Sequence, residues 1–324
     1  MPTNVPPEYK KAEEAFRQAK RIDEKIERLQ DMIALLPKHK GTDHLYADLK
    51  RRLARFRREM ESTGKKTGGG GELQIKREGA AQVVLLGPPN SGKSSILVSL
   101  TNARVEAADY PFTTTQPFPG MIEYEDIQIQ LIDTPPVTHD YFHAHILGLV
   151  RSADAVLIVA DASSDTLLED LEALFKAFSE RHVEFVPHRE DTDRDHVLTR
   201  VIANKMDAGD AQTRLELIKE YLQNRLDIIP ITCTDKSSLG KLPEMLFRWL
   251  GIVRVYTKAP GQKPNMERPY TLFKGQTVLD LCAQIHRDFV ENLKSARLWR
   301  EDNPPITVSR FEPVQDKDIL ELHI

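Results

Sequence analysis

The sequence predicts an α/β protein: a central domain with a mostly parallel β-sheet, a helical hairpin before it and a small domain after it. Three observations lead to this prediction. Apolar runs alternate with helical patterns in the centre of the chain, heptad-like stripes occupy the beginning, and short strand patterns flank one helix at the end. The predicted parts are a hairpin, a glycine-rich linker, a central domain and a tail domain, at 1–63, 64–72, 73–250 and 251–324.

The hairpin is predicted from two apolar stripes at helical spacing. The first runs from Ala15 to Leu36 in alternating steps of four and three, and the second runs from Leu45 to Met60. Two such helices joined by a short turn pack antiparallel. The stripes could close within one hairpin or between two chains.

Positive charge is concentrated in the same part of the chain. Residues 8–66 carry 17 Lys and Arg against 11 Asp and Glu, a net charge of +6, whereas 67–251 carry −11 and 252–324 carry +1. Arginine binds phosphate through paired hydrogen bonds, so an arginine cluster here is a candidate RNA contact. The alternative is a solvated helix face that favours the helix dipole. The candidate residues are Arg51, Arg52, Arg55 and Arg58.

The central sheet is predicted from five apolar runs separated by helical patterns. In parallel sheets of this type, ligands bind at the carboxyl ends of the strands. Polar residues that directly follow the runs are therefore the candidate site. The runs are 81–86, 127–132, 155–160, 197–203 and 228–231.

A phosphate-binding loop follows the first run. The segment GPPNSGKS, from Gly87 to Ser94, has the glycine, lysine and serine spacing that lets backbone N–H groups cradle an anion. Lys93 is expected to contact the β and γ phosphates, and Ser94 to bind Mg²⁺. The predicted nucleotide contacts here are Gly87, Pro88, Pro89, Asn90, Ser91, Gly92, Lys93, Ser94 and Ser95.

The tetrapeptide NKMD, from Asn204 to Asp207, follows the fourth run and predicts guanine rather than adenine. Asp207 offers two acceptors to the paired donors of guanine, and the stem of Lys205 can cover the ring. Adenine would leave that carboxylate unpaired. A further backbone contact to the base is expected from Thr232, Cys233 and Thr234.

Two segments between these motifs are candidate nucleotide-dependent switches. Asp133 ends the second run and is expected to hold Mg²⁺ through water. The polar loop from Asp109 to Thr115 carries hydroxyls that can reach the metal and the γ phosphate. Its candidate residues are Thr113 and Thr114, although adjacent threonines also suit a strand.

The chain resembles Obg-related GTPases with a carboxyl-terminal TGS domain, in particular the developmentally regulated GTP-binding protein branch. The resemblance lies in GPPNSGKSS, DYPFTTT, NKMD, LLPKHKGTDH and VRVYTKAPGQKP, the last at 253–264. It implies a P-loop GTPase domain, a β-grasp TGS domain that contacts RNA or a protein cofactor, and action on ribosomes or ribosomal RNA. It also implies that Thr114 is the threonine that binds Mg²⁺.

Two positions and one segment depart from the pattern of related GTPases. Pro136 stands where the family has a glycine whose N–H reaches the γ phosphate, and proline has no N–H. Val137 stands where many small GTPases carry a glutamine that orients water. The stretch from Leu149 to Asn204 is too short for the insertion of the branch, which suggests a shortened, prokaryotic-type relative.

Asn90 offers a possible replacement for the missing catalytic groups. In related GTPases with an apolar residue at the glutamine position, an asparagine of the loop helps to hold K⁺, which stabilises charge in the transition state. The alternative is that Asn90 only tightens the loop through hydrogen bonds to the backbone. The catalytic candidates are thus Lys93, Thr114 and Asn90, with Mg²⁺ and possible K⁺ as cofactors.

The tail domain is predicted to wrap a short sheet around one helix. Strands are expected at 252–257, 269–273 and 318–324, and Thr277 is expected to cap a helix that runs to about Leu293. From the resemblance, this module is an RNA or protein contact surface; Arg297, Trp299 and Arg300 are its candidate contacts, with a core position as the alternative for the tryptophan.

Composition predicts a cytoplasmic protein with no membrane partner. Hydrophobic residues make up 40% of the 324, without an apolar run of membrane-spanning length, and there are two cysteines. Together these features predict a GTP- and GDP-binding switch that hydrolyses GTP on ribosomes. The alternative is a nucleotide-stabilised, RNA-binding adaptor with little hydrolysis, for which Pro136 is the argument.

Overall fold

A computed structural model describes residues 75–101, 116–138, 142–188, 195–301 and 303–324, together with eight separate residues of the first 72. The chain divides into two compact units, Met1–Glu72 and Leu73–Ile324. In the first unit, Leu29 and Leu49 lie on the two predicted stripes, and both are helical and buried. Most other residues of the hairpin, including Arg51, Arg55 and Arg58, lie outside the described residues.

The second unit begins with a seven-stranded sheet in the order β2-β3-β1-β4-β6-β5, with β7 beside β6. All neighbouring strands run parallel except β2 and β3. This confirms the predicted α/β fold with a mostly parallel sheet. The elements are β1 (Gln82–Leu86), α1 (Lys93–Leu100), β2 (Phe118–Tyr124), β3 (Ile127–Asp133), α2 (Ala144–Ser152), β4 (Ala155–Asp161), α3 (Leu167–Ser179), β5 (Glu184–Val186), β6 (His196–Asn204), α4 (Ala211–Leu222), β7 (Ile228–Pro230), α5 (Lys236–Leu239) and α6 (Leu242–Leu250).

The central strands are buried on both faces, which explains their continuous apolar sequences. One face packs against α1 and α6, and the other packs against α2, α3 and α4. The carboxyl ends of β1, β3, β4 and β6 meet at one edge of the sheet. The sequence motifs that follow these strands are therefore brought together there.

The strand β2 was not predicted, because Pro119 and Gly120 interrupt its pattern. It pairs antiparallel with β3 at the edge of the sheet, where proline is tolerated. Gly120 allows a close approach there, since a Cβ atom would lie 2.8 Å from the side chains of Leu97 and Thr101. The short strand β5 was also missed, and it pairs only with the start of β6.

The carboxyl-terminal part forms a second sheet in the order β11-β10-β12-β8-β9, packed on one face against α7. Thr277 caps α7 as expected, through a capping box with Asp280. The elements are β8 (Ile252–Thr257), β9 (Asn265–Phe273), α7 (Val278–Ile285), α8 (Arg287–Asn292), β10 (Ser295–Trp299), β11 (Ile306–Val308) and β12 (Asp318–His323).

The prediction of one helix from Thr277 to Leu293 is wrong. His286 adopts an extended conformation, with φ −170° and ψ 152°, and separates α7 from α8. Its imidazole accepts a hydrogen bond from the N–H of Asp288 and so caps the second helix. The strands β10 and β11 were also missed.

The two sheets are joined through a buried guanidinium, that of Arg254 on β8. Its side chain is 3% exposed. It donates two hydrogen bonds to Asp316, of 3.0 and 2.7 Å, and one of 2.9 Å to Asp126 in the β2–β3 turn. It also contacts Glu125 in that turn, and the ring of Phe247 in α6, whose centroid is 4.9 Å away. We refer to Arg254, Asp316, Glu125 and Asp126 as the Arg254 cluster.

The electrostatics of the Arg254 cluster favour the charged forms of its members. The hydrogen bonds to Asp316 raise the pKa of Arg254 despite its burial. Burial opposes ionisation of Asp316, but hydrogen bonds from Arg254 outweigh it and hold the pKa of that carboxyl below its usual range. Tyr256, two residues along β8, donates a hydrogen bond to Asp126. The motif VRVYTKAP thus supplies two polar side chains, those of Arg254 and Tyr256, that contact the β2–β3 turn.

Candidate functional site

The loop after β1 is shaped by a close approach of the backbone to a neighbouring strand end. Gly92 has φ 96°, and a Cβ atom there would lie 2.1 Å from Nδ2 of Asn204. Both the backbone conformation and this contact require glycine. The glycine therefore lets the phosphate loop lie directly against the end of β6.

Lys93 begins α1 and is buried, with 6% of the residue exposed. Its ammonium donates to the carbonyls of Gly87, at 3.0 Å, and Pro88, at 2.7 Å, and lies 3.5 Å from Oγ of Ser91. Burial lowers the pKa of Lys93 to about 8, and the carboxylate of Asp133 offsets only part of that effect. The loop thus holds a desolvated cation for which an anion is the complementary ligand.

Ser94 and Asp133 supply two oxygen ligands at one point. Ser94 Oγ donates to Oδ2 of Asp133 across 2.5 Å, and Asp133 is fully buried. A hydroxyl and a carboxylate beside a phosphate loop are the ligands that Mg²⁺ prefers. The residues present therefore fit the predicted magnesium site.

Asn204 links the tetrapeptide NKMD (Asn204–Asp207), which we call the guanine tetrapeptide after its predicted ligand, to the phosphate loop. Its Nδ2 donates to the carbonyl of Ser91 across 2.8 Å, and its Oδ1 accepts from the thiol of Cys233 across 3.1 Å. Burial raises the pKa of Cys233, so the sulfur keeps the proton that it donates. One amide thereby connects three of the predicted segments.

Lys205 and Asp207 follow Asn204 directly after the end of β6. Lys205 is in the left-handed region, with φ 62°, and its ammonium contacts Oδ2 of Asp161 across 2.6 Å. Asp207 is exposed. The loop after β7 lies alongside, since the N–H of Met206 donates to the carbonyl of Ile231 just before Thr232. Thr232 and Cys233 are half-buried, and Thr234 is exposed.

The segment after Asp133 is fixed to the first strand. Thr134 donates through its hydroxyl to the carbonyl of Leu85 across 2.6 Å, and the N–H of Val137 donates to the carbonyl of Gly87 across 3.2 Å. Pro136 and Val137 are both buried. The start of this predicted switch is therefore anchored in the core.

Other predicted residues are less involved in these contacts. Asn90 is exposed, with φ 60°, and within the described residues no hydrogen bond from its side chain tightens the loop. Ser95 is also exposed. Thr113 and Thr114 lie outside the described residues. Arg52 is helical and exposed in the first unit.

The candidate partner contacts of the second sheet differ in whether their side chains are exposed or make contacts within the protein. Arg297 is exposed, whereas Arg300 donates to both oxygens of Asp318, at 2.9 and 2.8 Å. Trp299 is half-buried, and the ammonium of Lys258 lies 4.3 Å from its ring centroid. Arg300 thus pairs with Asp318 at the start of β12, and its role as a partner contact stays a prediction.

Sequence reasoning missed two groups that hold the tetrapeptide in place. One is the carboxylate of Asp161. The other is the thiol of Cys233, a residue that was predicted to contact the base only through its backbone. A signal for Asp161 was present, because it directly follows the apolar run 155–160 at the ligand-binding edge. For Cys233, no sequence pattern indicated that its thiol lies next to Asn204, which is distant along the chain.

Two family models match the chain and together cover more than half of it. A model described as "50S ribosome-binding GTPase" matches residues 82–188, and the TGS domain model matches 253–324. Within the described residues, no helix combines the length and apolar character that a bilayer crossing requires.

Similar proteins match over nearly the whole chain. An uncharacterized GTP-binding protein of Methanocaldococcus jannaschii is 28% identical over 94% of this chain and 93% of its own. Developmentally-regulated G-protein 1 of Arabidopsis thaliana is 28% identical over 93% and 91%, and the human developmentally-regulated GTP-binding protein 2 is 27% identical over 93% and 99%.

A solved structure shares the fold. The YchF GTPase of Schizosaccharomyces pombe superposes with a TM-score of 0.51 at 14% identity, covering 76% of this chain and 99% of that one. The two family models, the relatives and this fold agree with the motifs at the strand ends. The chain therefore contains a P-loop GTPase domain followed by a carboxyl-terminal TGS domain, and it resembles the developmentally regulated GTP-binding proteins.

Proposed function

We propose that the protein binds GTP and GDP, hydrolyses GTP to GDP and phosphate, and acts as a switch on ribosomes or on RNA or protein associated with them. The observation that carries the nucleotide part is the hydrogen bond from Asn204 to the carbonyl of Ser91. It places the guanine tetrapeptide beside the phosphate loop, so that one nucleotide can span both.

Selection of guanine is assigned to Asp207, whose exposed carboxylate is available to the N1–H and N2–H₂ donors of the base. An adenine nucleotide makes neither bond. We expect fluorescent GDP to bind at least about 100-fold more tightly than the matching ADP, and D207N to weaken GDP binding. Equal affinities for GDP and ADP in the native protein would contradict the proposal.

Phosphate binding is assigned to Lys93 and the backbone of the loop. Mg²⁺ would be held by Ser94, by Asp133 through water and, from the family resemblance, by Thr114, and it would supply positive charge to the phosphates. The buried ammonium of Lys93 would turn from the carbonyls of Gly87 and Pro88 to the phosphates. The phosphates would then offset the effect of burial on the pKa of Lys93, because an anion favours the charged form of the ammonium.

Hydrolysis is expected to rely on charge stabilisation, since Val137 is buried and apolar at the position where many small GTPases carry a glutamine. Asn90 is exposed at the tip of the loop, and its amide oxygen is a candidate ligand for K⁺. We expect faster GTP turnover in KCl than in NaCl, and loss of that difference in N90A. Identical turnover in both salts would rule out the potassium site and leave GTP binding untouched.

The alternative is an adaptor that binds nucleotide and hydrolyses little of it. Pro136 has no N–H, and the neighbouring N–H of Val137 donates to Gly87. Discrimination between GTP and GDP therefore lacks one charge-assisted hydrogen bond, worth roughly 1.5 to 3 kcal/mol. Slow native turnover that P136G accelerates would favour the adaptor, whereas appreciable turnover in the native chain would exclude it.

Action on ribosomes is supported by the family model and by the charge of the first unit, +6 over residues 8–66. We expect the protein to co-sediment with ribosomes, and the triple change R51E, R55E and R58E to abolish this. R287E, on an exposed side chain of α8, is the matched control. Unchanged sedimentation of the triple variant would remove this patch as the contact.

A further inference from the structure

The carboxylate of Asp161 lies beside the tetrapeptide NKMD, where its ion pair with Lys205 was not predicted. Asp161 is the last residue of β4, pairs in register with Asn204 of β6, and is 9% exposed. The N–H of the following residue, Ala162, donates to the carbonyl of Asn204 across 2.9 Å. The end of β4 is therefore fixed relative to the residue that precedes Lys205.

Both oxygens of Asp161 are engaged. Oδ1 accepts from the N–H of Ser163, at 2.8 Å, and from its hydroxyl, at 2.6 Å, which holds the carboxylate in one orientation. Oδ2 contacts the ammonium of Lys205 across 2.6 Å. The carboxylate is thus held in one orientation, and it binds the ammonium group of Lys205.

Lys205 is held at both ends. Its backbone has a left-handed conformation, φ 62°, at the exit of β6, and its ammonium is bound to Asp161. The four-carbon stem between these points has little freedom to rotate. Since 38% of the side chain is exposed, the stem is accessible to a ligand.

We propose that Asp161 is a positioning residue for base recognition: by anchoring the ammonium of Lys205, it fixes the stem of that lysine as a preformed apolar surface for the purine ring. This inference rests on the proposed binding of guanine nucleotides. An unanchored lysine stem would have to be ordered when the base binds, at a cost in side-chain entropy that lowers affinity. Asp161 removes that cost before the ligand arrives.

The inference predicts an effect confined to the base side of the site. We expect D161N, which keeps the shape and loses the charge, to weaken GDP binding about tenfold. Pyrophosphate, measured by competition, should bind as it does to the native protein, because it contacts only the loop. KM for GTP should rise with kcat unchanged. A merely structural role would change both ligands and kcat together.

A double-mutant cycle tests whether Asp161 acts through Lys205. K205M keeps an unbranched stem of similar length without the ammonium. We expect K205M and the double variant D161N/K205M to lose about the same tenfold as D161N, because either change frees the stem. Additive losses would show that Asp161 acts by another route. D165N is the matched control, since Asp165 lies four residues after Asp161, pairs with Arg214 and is 93% exposed.

The outcomes separate the inference from the function on which it rests. If the native protein does not bind GDP, the proposed function fails. If the native protein binds GDP and D161N binds it within twofold as tightly, only the inference fails. Thermal unfolding without nucleotide shows whether D161N is folded; should it unfold, K205M carries the test, and unchanged GDP affinity in K205M would overturn the inference.

Discussion

Two buried cations, Lys93 and Arg254, show opposite electrostatic arrangements in one unit of this protein. Lys93 is surrounded by carbonyls and a hydroxyl of its own loop, and burial lowers its pKa to about 8. Arg254 faces three carboxylates, and its pKa is raised. The charge of Lys93 is therefore only partly compensated within the protein, which suits it to bind an anionic ligand, whereas the charge of Arg254 is already compensated by carboxylates within the protein.

The same contrast explains the different roles of charge in the phosphate loop and in the Arg254 cluster. The phosphate loop keeps its charge under-compensated, so that phosphate oxygens improve its electrostatics when they bind. The Arg254 cluster compensates its charge internally and joins the β2–β3 turn to the second sheet. Removal of the cation should therefore mainly weaken ligand binding in the phosphate loop, whereas it should lower stability in the Arg254 cluster.

The largest expected effect is on the Arg254 cluster. R254M removes the cation and leaves Asp316, Asp126 and Glu125 facing one another without it. We expect the free energy of unfolding to fall by about 3 kcal/mol, as when one partner of a buried ion pair is removed. Urea unfolding of the full chain measures this change, and GDP affinity should stay within about twofold of native.

The matched control for R254M is R287M. Arg287 pairs with Glu291 one helical turn away, and its side chain is 84% exposed. A surface pair of this kind contributes less than about 1 kcal/mol. If R254M and R287M lost the same small amount, the Arg254 cluster would not hold the two sheets together, and the comparison with Lys93 would lose its meaning.

A smaller effect of opposite sign is expected at Lys93. Its folded pKa, about 8, lies below the unfolded value of about 10.4, so the charged form penalises the folded state. K93M should therefore raise the free energy of unfolding by about 1 kcal/mol at pH 7 without nucleotide, while greatly weakening GDP binding. The native protein should approach the stability of K93M as the pH rises from 8 to about 10.

Urea unfolding of K93M and of the native chain at pH 7 and pH 9.5 measures this difference. Lys76, which is mostly exposed, provides the control variant K76M, with no such change expected. A loss of stability in K93M at pH 7 would mean that the ammonium holds the empty loop together. Lys93 would then resemble Arg254, and the contrast between the two cations would be wrong.

The sequence predicted the parts of this arrangement that depend on local patterns. Continuous apolar runs identified the parallel strands, and the residues directly after them identified the loop, Asp133 and the tetrapeptide. The strand β2 escaped because Pro119 and Gly120 disrupt its alternation, and its place is set by pairing with β3. The helix break at His286 escaped because neither proline nor glycine marks it.

What the sequence could not supply were contacts between distant segments. Arg254 and Asp126 are far apart in the chain, as are Asn204 and Ser91, and no spacing rule connects them. The resemblance identified VRVYTKAP as characteristic without a reason for it. The structure gives a physical reason: Arg254 and Tyr256, both in this motif, make hydrogen bonds to Asp126 in the β2–β3 turn.

The smallest expected effect concerns the thiol of Cys233, which holds the amide of Asn204 on the base side of the loop. C233A removes a weak donor and leaves Oδ1 of Asn204 without that bond, so the amide can rotate away from Ser91. We expect GDP affinity to fall about threefold, or roughly 0.6 kcal/mol, and C233S to restore it, because a hydroxyl also donates. Titration of fluorescent GDP resolves such a change. Equal affinities in C233A and the native protein would mean that the hydrogen bond to Ser91 alone orients Asn204.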